Sequence, residues 1–258
     1  MKTLQFVSVL ATAATLSVAC HRDRDNQTVS TDTARGRSTA PSSAAADDRD
    51  HALVRVIHVI PGSGAVDVYI ADKKAFDSVA YKTVTPYKEV PANEDDFTAR
   101  LAGQDAGTPL AENSEGILSG RYYTLVVFPS RDGKGASLQV FTDDPLPSNN
   151  GKASFRVINA APDVDEVSVA PEGRQQDAWV RGLNFETVSA YKEVEPGTVT
   201  LDVKADTDRT ERSLLKTAPI VTLTPTDVYT VVIAGRSNGA NALEALVIKD
   251  TVSPSATN

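Results

Sequence analysis

Two stretches of the chain share one pattern of apolar positions. Residues 54–61 (VRVIHVIP) and 155–162 (FRVINAAP) are apolar runs rich in β-branched residues, and a proline ends each run. An alternating segment follows each of them, at 66–70 and at 167–170. Because β-branched residues favour strands and proline interrupts them, each stretch predicts a strand, a proline-marked turn and a second strand.

The duplication extends through most of the chain. The matched blocks, in order, are 54–61 with 155–162, 66–70 with 167–170, 87–90 with 191–194, 123–127 with 229–233, and 140–143 with 247–250. The offset grows from 101 at Arg55 and Arg156 (156 − 55) to 107 at Asp143 and Asp250 (250 − 143), as small loop insertions would produce. Solenoid repeats are about 20–50 residues long, so a period near 100 indicates a duplicated domain.

Turn signals separate short apolar segments throughout both repeats, and no segment sustains a helical period. We therefore predict an all-β chain with two tandem immunoglobulin-like antiparallel β-sandwich domains, at 52–148 and 152–252; barrel closure is the alternative. A turn-rich linker covers 145–151, and the polar segment 103–115 is expected to be a surface loop. The expected strands are 53–59, 65–71, 76–81, 84–90, 96–102, 122–129 and 137–142, then 153–160, 166–170, 178–185, 188–194, 198–204, 219–223, 228–234 and 243–249.

The N-terminus has the three parts of a signal peptide over residues 1–19: the basic Lys2, an apolar run, and small residues before Cys20. The run is short and carries too many hydroxyl residues for a membrane span. Residues 16–20 (LSVAC) resemble the bacterial lipobox, although Ser17 stands where an aliphatic residue is usual. The resemblance implies cleavage before Cys20 and lipidation of its thiol; an ordinary cleaved signal with an incidental cysteine is the alternative.

Composition limits the function of the remaining chain. Residues 20–51 are poor in large apolar residues and predict a disordered tether, and we expect a disordered tail at 253–258. The net charge of −8 argues against nucleic-acid binding, which needs a basic surface. Cys20 is the only cysteine, so the domains fold without a disulfide.

The repeated blocks resemble the bacterial domain-of-unknown-function family 4397. Its members open on a pattern like (Val/Leu)-Arg-(Val/Phe)-(Val/Ile)-(His/Asn)-Ala-(Ser/Ala)-Pro followed by Val-Asp-Val. Both repeats match it, with two departures: Val59 and Ile60 replace the small pair, and Ser168 replaces the aspartate. The resemblance implies an exported β-sandwich, often in tandem and often on lipoproteins, and it implies no catalytic residues.

Few residues are candidates for catalysis or metal binding. The chain has three histidines, of which only His58 lies in a predicted strand, and the second repeat has Asn159 there. We expect both to form hydrogen bonds at a strand end rather than to act as a base. The segment Gly62–Gly64 (GSG) is read as a hairpin turn, not a nucleophile elbow. Carboxylates occur in turns at 95–96, 143–144, 163–166 and 206–208, without the full ligand string that calcium needs.

The sequence allows two roles for each of three aromatic residues. Trp179 is either a core or interdomain residue or an exposed sugar platform. Tyr123 and Tyr229 begin late apolar strands, either as tyrosine corners that tie a loop or as plain strand residues. In the repeated Tyr-Lys-Glu-Val at 87–90 and 191–194, strand alternation explains the recurrence without a ligand.

These observations predict an exported, non-enzymatic lipoprotein of the cell envelope, anchored in the outer membrane by lipid on Cys20. Its domains would bind an unknown protein or glycan partner, without a cofactor, a metal or nucleic acid. One alternative is a carbohydrate-binding or adhesion module. The other is a hydrolase of envelope polymers, which would need two carboxylates about 5–10 Å apart in a cleft.

Overall fold

The computed structural model describes residues 50–143, 145–205, 213–238 and 241–251. The predicted signal peptide, Cys20, nearly all of the tether and the tail at 253–258 lie outside these residues. The described part of the chain holds no helix that is long and apolar enough to cross a membrane.

The first repeat forms a sandwich of two four-stranded sheets. The inner sheet has the order β4-β1-β7-β8 and the outer sheet the order β3-β2-β5-β6. The strands are β1 (His51–His58), β2 (Val66–Ile70), β3 (Lys73–Val79), β4 (Lys88–Pro91), β5 (Phe97–Leu101), β6 (Ala111–Asn113), β7 (Tyr122–Pro129) and β8 (Ala136–Asp143).

The second repeat forms the same sandwich. In its inner sheet the order is β12-β9-β16-β17, with β13 also paired to β9, and in its outer sheet the order is β11-β10-β14-β15. The strands are β9 (Ala153–Ala160), β10 (Glu166–Pro171), β11 (Val180–Asn184), β12 (Thr187–Val188), β13 (Lys192–Val194), β14 (Gly197–Ala205), β15 (Ile220–Leu223), β16 (Val228–Ala234) and β17 (Glu244–Asp250). The predicted all-β fold with two sandwich domains is confirmed.

The centre of each inner sheet is a parallel pair, β1 with β7 and β9 with β16, whereas the other strand pairs are antiparallel. These four strands are buried along almost their whole length. Parallel strands typically have both faces covered, which is why they appear as near-continuous apolar runs. One face of each strand packs in the core of its own domain, and the other face packs against the other domain.

Strand alternation divides the side chains between these two faces. Val54 and Val56 of β1 belong to the core of the first domain, whereas Ile57 belongs to a third cluster. In β16, likewise, Val231 lies in the core of the second domain and Val232 in the third cluster. This third cluster, which includes Phe128, Ile158 and Phe185, joins the two inner sheets, so the order of layers is outer, inner, inner, outer.

Several predicted boundaries differ from the structure. The segment 103–115 was expected to be a loop, and this was wrong in part: it holds β6, whose Ala111 is buried against β5. The strand expected at 84–90 is confined to Lys88–Pro91, after a single bridge at Val84. The strand expected at 188–194 is divided into β12 and β13, and β1 already begins at His51.

Candidate functional site

The polar residues that recur in both repeats meet at the interface between the two domains. Their positions on β1, β7, β8 and on the matching β9, β16, β17 point away from the domain cores, toward the facing sheet. The set consists of Arg55, Thr124 and Asp143 from the first repeat and Arg156, Thr230 and Asp250 from the second, and all six residues are at most 5% exposed. Two tyrosines, Tyr87 and Tyr191, border them.

The arginine of the first domain binds the aspartate of the second. Arg55 Nη1 donates to Asp250 Oδ1 at 2.6 Å, and Arg55 Nε donates to Thr124 Oγ1 at 2.8 Å. Asp250 Oδ2 in turn accepts a hydrogen bond from Thr230 Oγ1 at 2.6 Å. Each charge therefore has a direct partner of opposite sign across the interface.

The second half of the network repeats these contacts with the domains exchanged. Arg156 Nη2 lies 2.6 Å from Asp143 Oδ1, and Arg156 Nε donates to Thr230 Oγ1 at 2.9 Å. Thr124 Oγ1 donates to Asp143 Oδ2 at 2.5 Å. Such reciprocity is the property of a two-fold interface, in which one surface patch pairs with its own copy. The chain is thus a covalently linked pair of like domains.

Two tyrosine rings cover the guanidinium groups. Arg55 stacks at 4.7 Å from the ring centre of Tyr87, and Arg156 at 4.6 Å from that of Tyr191. Tyr87 Oη also donates to Asp143 Oδ2 at 2.5 Å. Burial and, as a smaller effect, the charge of Asp143 raise the pKa of the Tyr87 phenol. Burial also raises the pKa of Tyr191.

Arg55 stays charged in this site. Burial acts to lower the pKa of its guanidinium, but Asp250, with Tyr87 and Asp143, outweighs burial and raises the pKa above its ordinary value. Two arginines and two aspartates cancel in charge. Each guanidinium is paired with a carboxylate of the other domain, and all four charged residues are buried, so the chemistry of the network is that of a buried structural ion cluster.

His58 is tied to the backbone and cannot activate the serine beside it. Its Nδ1 accepts a hydrogen bond from the Ile60 N–H at 3.4 Å, which leaves the ring proton on Nε2 for the carbonyl of Gly64 at 3.0 Å. Ser63 Oγ lies 3.0 Å from the same Nε2 and donates to the Ile60 carbonyl at 3.2 Å. A protonated Nε2 cannot take the serine proton, so the predicted hydrogen-bonding role of His58 is confirmed.

Two of the turn carboxylates, Asp163 and Asp165, are engaged with hydrogen-bond donors. Asp163 accepts hydrogen bonds from the N–H and hydroxyl of Ser237, and Asp165 forms a 2.5 Å ion pair with Arg131 of the first domain. Among the residues that the structure describes, no three His, Cys, Asp or Glu side chains are placed to hold a metal ion. Asp144, Asp206 and Asp208 lie outside that part of the chain.

The aromatic candidates are structural. Trp179 packs on the core of the second domain, with its ring 4.9 Å from that of Phe155. The tyrosine-corner reading is confirmed: Tyr123 Oη accepts the Leu118 N–H at 2.8 Å, and Tyr229 Oη accepts the Thr224 N–H at 3.1 Å.

The alternation expected for Tyr-Lys-Glu-Val is confirmed as well. Val90 and Val194 enter their own domain cores, whereas Tyr87 and Tyr191 lie on the opposite face, against the arginines. Sequence reasoning matched these residues between repeats but did not place them at an interface. The sequence did hold one signal of this interface: a polar residue, such as Arg55, that recurs inside a strongly apolar strand.

The comparisons with known proteins identify a family. The family model "Domain of unknown function (DUF4397)" matches residues 52–170 and 174–258. No curated protein matches the chain. Among solved structures, the C-terminal domain of AlgF from P. aeruginosa is similar, with 17% identity over 39% of this chain and 100% of that chain, at a TM-score of 0.29. The chain belongs to the DUF4397 family and matches it in two tandem segments.

Proposed function

We propose that the protein is an exported lipoprotein, anchored through Cys20, whose two joined sandwich domains bind a partner in the cell envelope or outside it without catalysing a reaction. One observation carries the proposal. The polar residues that recur in both repeats, led by Arg55 and Arg156, are buried between the domains and hold them together. They cannot contact a substrate from there.

The burial of these recurring polar residues also supports recognition of the partner by the outer surface of the molecule. Four sheets packed in layers make one body, because each inner sheet is buried on both faces. A partner can then contact the loops at the ends of the sheets and the outermost strands. Binding residues commonly lie on loops that a rigid scaffold positions. The resemblance of residues 16–20 to a lipobox supports the anchor.

The anchor is tested by changing Cys20→Ala in the full chain and separating membrane from soluble proteins. We expect the wild-type chain in the membrane fraction and the variant in the soluble fraction, since the acyl chains are lost with the thiol. Ser17→Leu is the matched control, because it restores the usual aliphatic residue and should leave the chain in the membrane. Membrane retention of the Cys20→Ala chain would contradict the anchor.

Partner binding is tested separately with the purified full chain in detergent. Chemical cross-linking to envelope extracts should give one specific product that disappears when the chain is unfolded before the reaction. A product of equal yield with the unfolded chain would count against a protein partner. So would a result in which the chain retains only glycans from the extract.

A further inference from the structure

A cleft opens between the two domains beside the start of β17. Its volume is about 340 Å³, within the range of small-molecule sites, which commonly lie at domain boundaries. The first domain contributes residues that follow β3, and the second contributes the segment before β15 and the start of β17. The polar side chains that line the cleft are Tyr81, Lys82, Lys216, Thr217, Asn241 and Glu244.

The polar groups of four of these side chains have no partner among the residues that the structure describes. They are the Tyr81 hydroxyl, the Lys216 ammonium, the Thr217 hydroxyl and the Asn241 amide. Lys216, Thr217 and Asn241 are exposed, and Tyr81 is half-buried. The cleft therefore offers an ammonium group, two hydroxyls and an amide, contributed by both domains, to a ligand.

The lining of the cleft carries one net positive charge. Lys82 and Lys216 contribute two positive charges, and Glu244, which forms an ion pair with Lys82, contributes one negative charge. The chain as a whole has a net charge of −8, so the local charge is opposite in sign. Because charge-assisted hydrogen bonds are about twice as strong as neutral ones, the unpaired Lys216 favours a ligand with a carboxylate.

The cleft breaks the two-fold symmetry of the molecule. Tyr81 corresponds to Phe185 at the offset of 104 that applies to the Tyr-Lys-Glu-Val blocks. Lys82 corresponds to Glu186 at the same offset, and the two share a positive φ, of +66° and +62°. Phe185 is buried, with the guanidinium of Arg131 4.8 Å from its ring centre. The first repeat thus has a hydroxyl and a positive charge where the second has a buried ring and a negative charge.

Sugar hydroxyls match the remaining groups of the cleft. The hydroxyls of Tyr81 and Thr217 can each donate and accept, and the amide of Asn241 has two donors and one acceptor. An apolar ligand would remove water from these groups without replacing its hydrogen bonds, which costs free energy. A ligand that brings a carboxylate for Lys216 and several hydroxyls for the other groups is an acidic sugar.

We propose that this cleft binds an acidic sugar unit of a glycan in the cell envelope or outside it. The sugar carboxylate accepts hydrogen bonds from the Lys216 ammonium, and the sugar hydroxyls pair with Tyr81, Thr217 and Asn241. The site needs both domains, since Tyr81 belongs to the first and the other three residues belong to the second. The inference rests on the proposed partner-binding function and names the ligand class and the residues that contact it.

The test titrates D-glucuronate into the full-length chain in detergent and follows the backbone amide NMR signals. We expect saturable shifts at residues 81–82, 216–217 and 241–244. D-Glucose should bind about tenfold more weakly, because it lacks the charge that pairs with Lys216. Lys216→Gln should likewise weaken glucuronate binding about tenfold. Lys134→Gln is the matched control: it removes an exposed lysine that does not line the cleft, and it should leave the affinity unchanged.

Tyr81→Phe tests the site without a change of charge. The second repeat has phenylalanine at the equivalent position, and the Tyr81 hydroxyl has no partner among the described residues, so thermal unfolding should be unchanged. Loss of the hydroxyl should weaken glucuronate binding about 2- to 10-fold, as expected for one neutral hydrogen bond.

Three results would overturn the proposal. They are the absence of saturable shifts, equal glucuronate affinity in the wild-type and Lys216→Gln chains, and acetate that binds as tightly as glucuronate. The outcome for the proposed function is separate. A cross-linked envelope partner that the Lys216→Gln chain retains would reject this cleft as the binding site but leave partner binding intact. Glucuronate binding by a chain that gives no cross-linked protein would support the cleft and count against a protein partner.

Discussion

At the scale of single residues, two different side chains perform the same task in the two repeats. His58 Nδ1 accepts the N–H of Ile60, two residues later, and Asn159 Oδ1 accepts the N–H of Ala161 at 3.1 Å. Each also donates to a carbonyl; for Asn159 Nδ2 the acceptor is Leu183, at 3.0 Å. Histidine and asparagine can both offer one acceptor and one donor, which explains why they exchange here.

The first prediction concerns the pH dependence of His58. Burial lowers the pKa of its imidazole, so the folded chain holds it neutral while the unfolded chain protonates it near its ordinary pKa of about 6.5. Stability should therefore fall as the pH drops from 7 through that value, because protons bind the unfolded chain more tightly than the folded one. His58→Asn should remove this loss in urea unfolding across this pH range. An unchanged pH slope in the variant would contradict the assignment.

At the scale of elements, a bulge in each outer sheet explains the aspartate of the family pattern. The register shifts between Val66 and Val68, opposite β3. There Asp67 Oδ1 accepts the N–H of Ser78 at 2.7 Å, and Ser78 has a φ of +51°. Lys74 Nζ also lies 2.8 Å from Asp67 Oδ2. Burial acts to raise the pKa of Asp67, but Lys74 and the backbone N–H groups outweigh burial and lower it.

The second repeat keeps the bulge with other residues. Its register shifts between Val167 and Val169, Ser168 Oγ accepts the N–H of Gly182 at 3.4 Å, and Gly182 has a φ of +56°. A hydroxyl can thus replace the carboxylate that the family pattern has at this position. Glycine adopts a positive φ without steric cost, whereas serine does not.

The second prediction follows from this difference. Ser78→Gly should raise the free energy of unfolding by about 0.5–1 kcal/mol, because relief of the left-handed strain exceeds the entropy that glycine adds to the unfolded chain. The reciprocal change Gly182→Ser should lower it by about 1 kcal/mol. Thermal unfolding of both variants measures the two effects. Changes of the same sign in both would argue against backbone strain as the cause.

At the scale of the whole molecule, the buried ion network decides how the domains join. Arg55 and Asp250 are 195 residues apart in sequence and 2.6 Å apart in space. Buried ion pairs are weak evidence of net stability, but the loss of one partner leaves an unpaired buried charge. The reciprocal pairing also specifies a single orientation of the two inner sheets, since a shifted arrangement would leave both arginines without acceptors.

The third prediction tests this role. Asp250→Ala should lower the free energy of unfolding by about 3–5 kcal/mol, because Arg55 loses its partner in a water-free interface. The double variant Arg55→Met with Asp250→Leu should be markedly less destabilised, as both charges are gone. Asp143→Ala is the matched control in the exchanged half and should behave like Asp250→Ala. Urea unfolding gives the values, and a double variant as unstable as the single one would refute the assignment.

The sequence predicted the parts of the fold that depend on local pattern. Strands such as 122–129 and 153–160 were predicted at their observed ends, because an apolar run between turn signals has few other conformations. β6 was missed because Ala111–Asn113 is too short and too polar to show alternation, and it becomes a strand only by pairing with β5. The role of Arg55 could be suspected from its apolar neighbours but not assigned.

By itself the sequence determined the duplication, the all-β class and the two faces of each strand, because period, order and alternation are properties of neighbouring residues. The tertiary structure decided what covers the second face of β1, β7, β9 and β16. That face meets the other domain, and the pairing of Arg55 with Asp250 and of Arg156 with Asp143 depends on residues far apart in the chain. Only packing brings such residues together, since no local pattern records which distant charge will compensate a buried one.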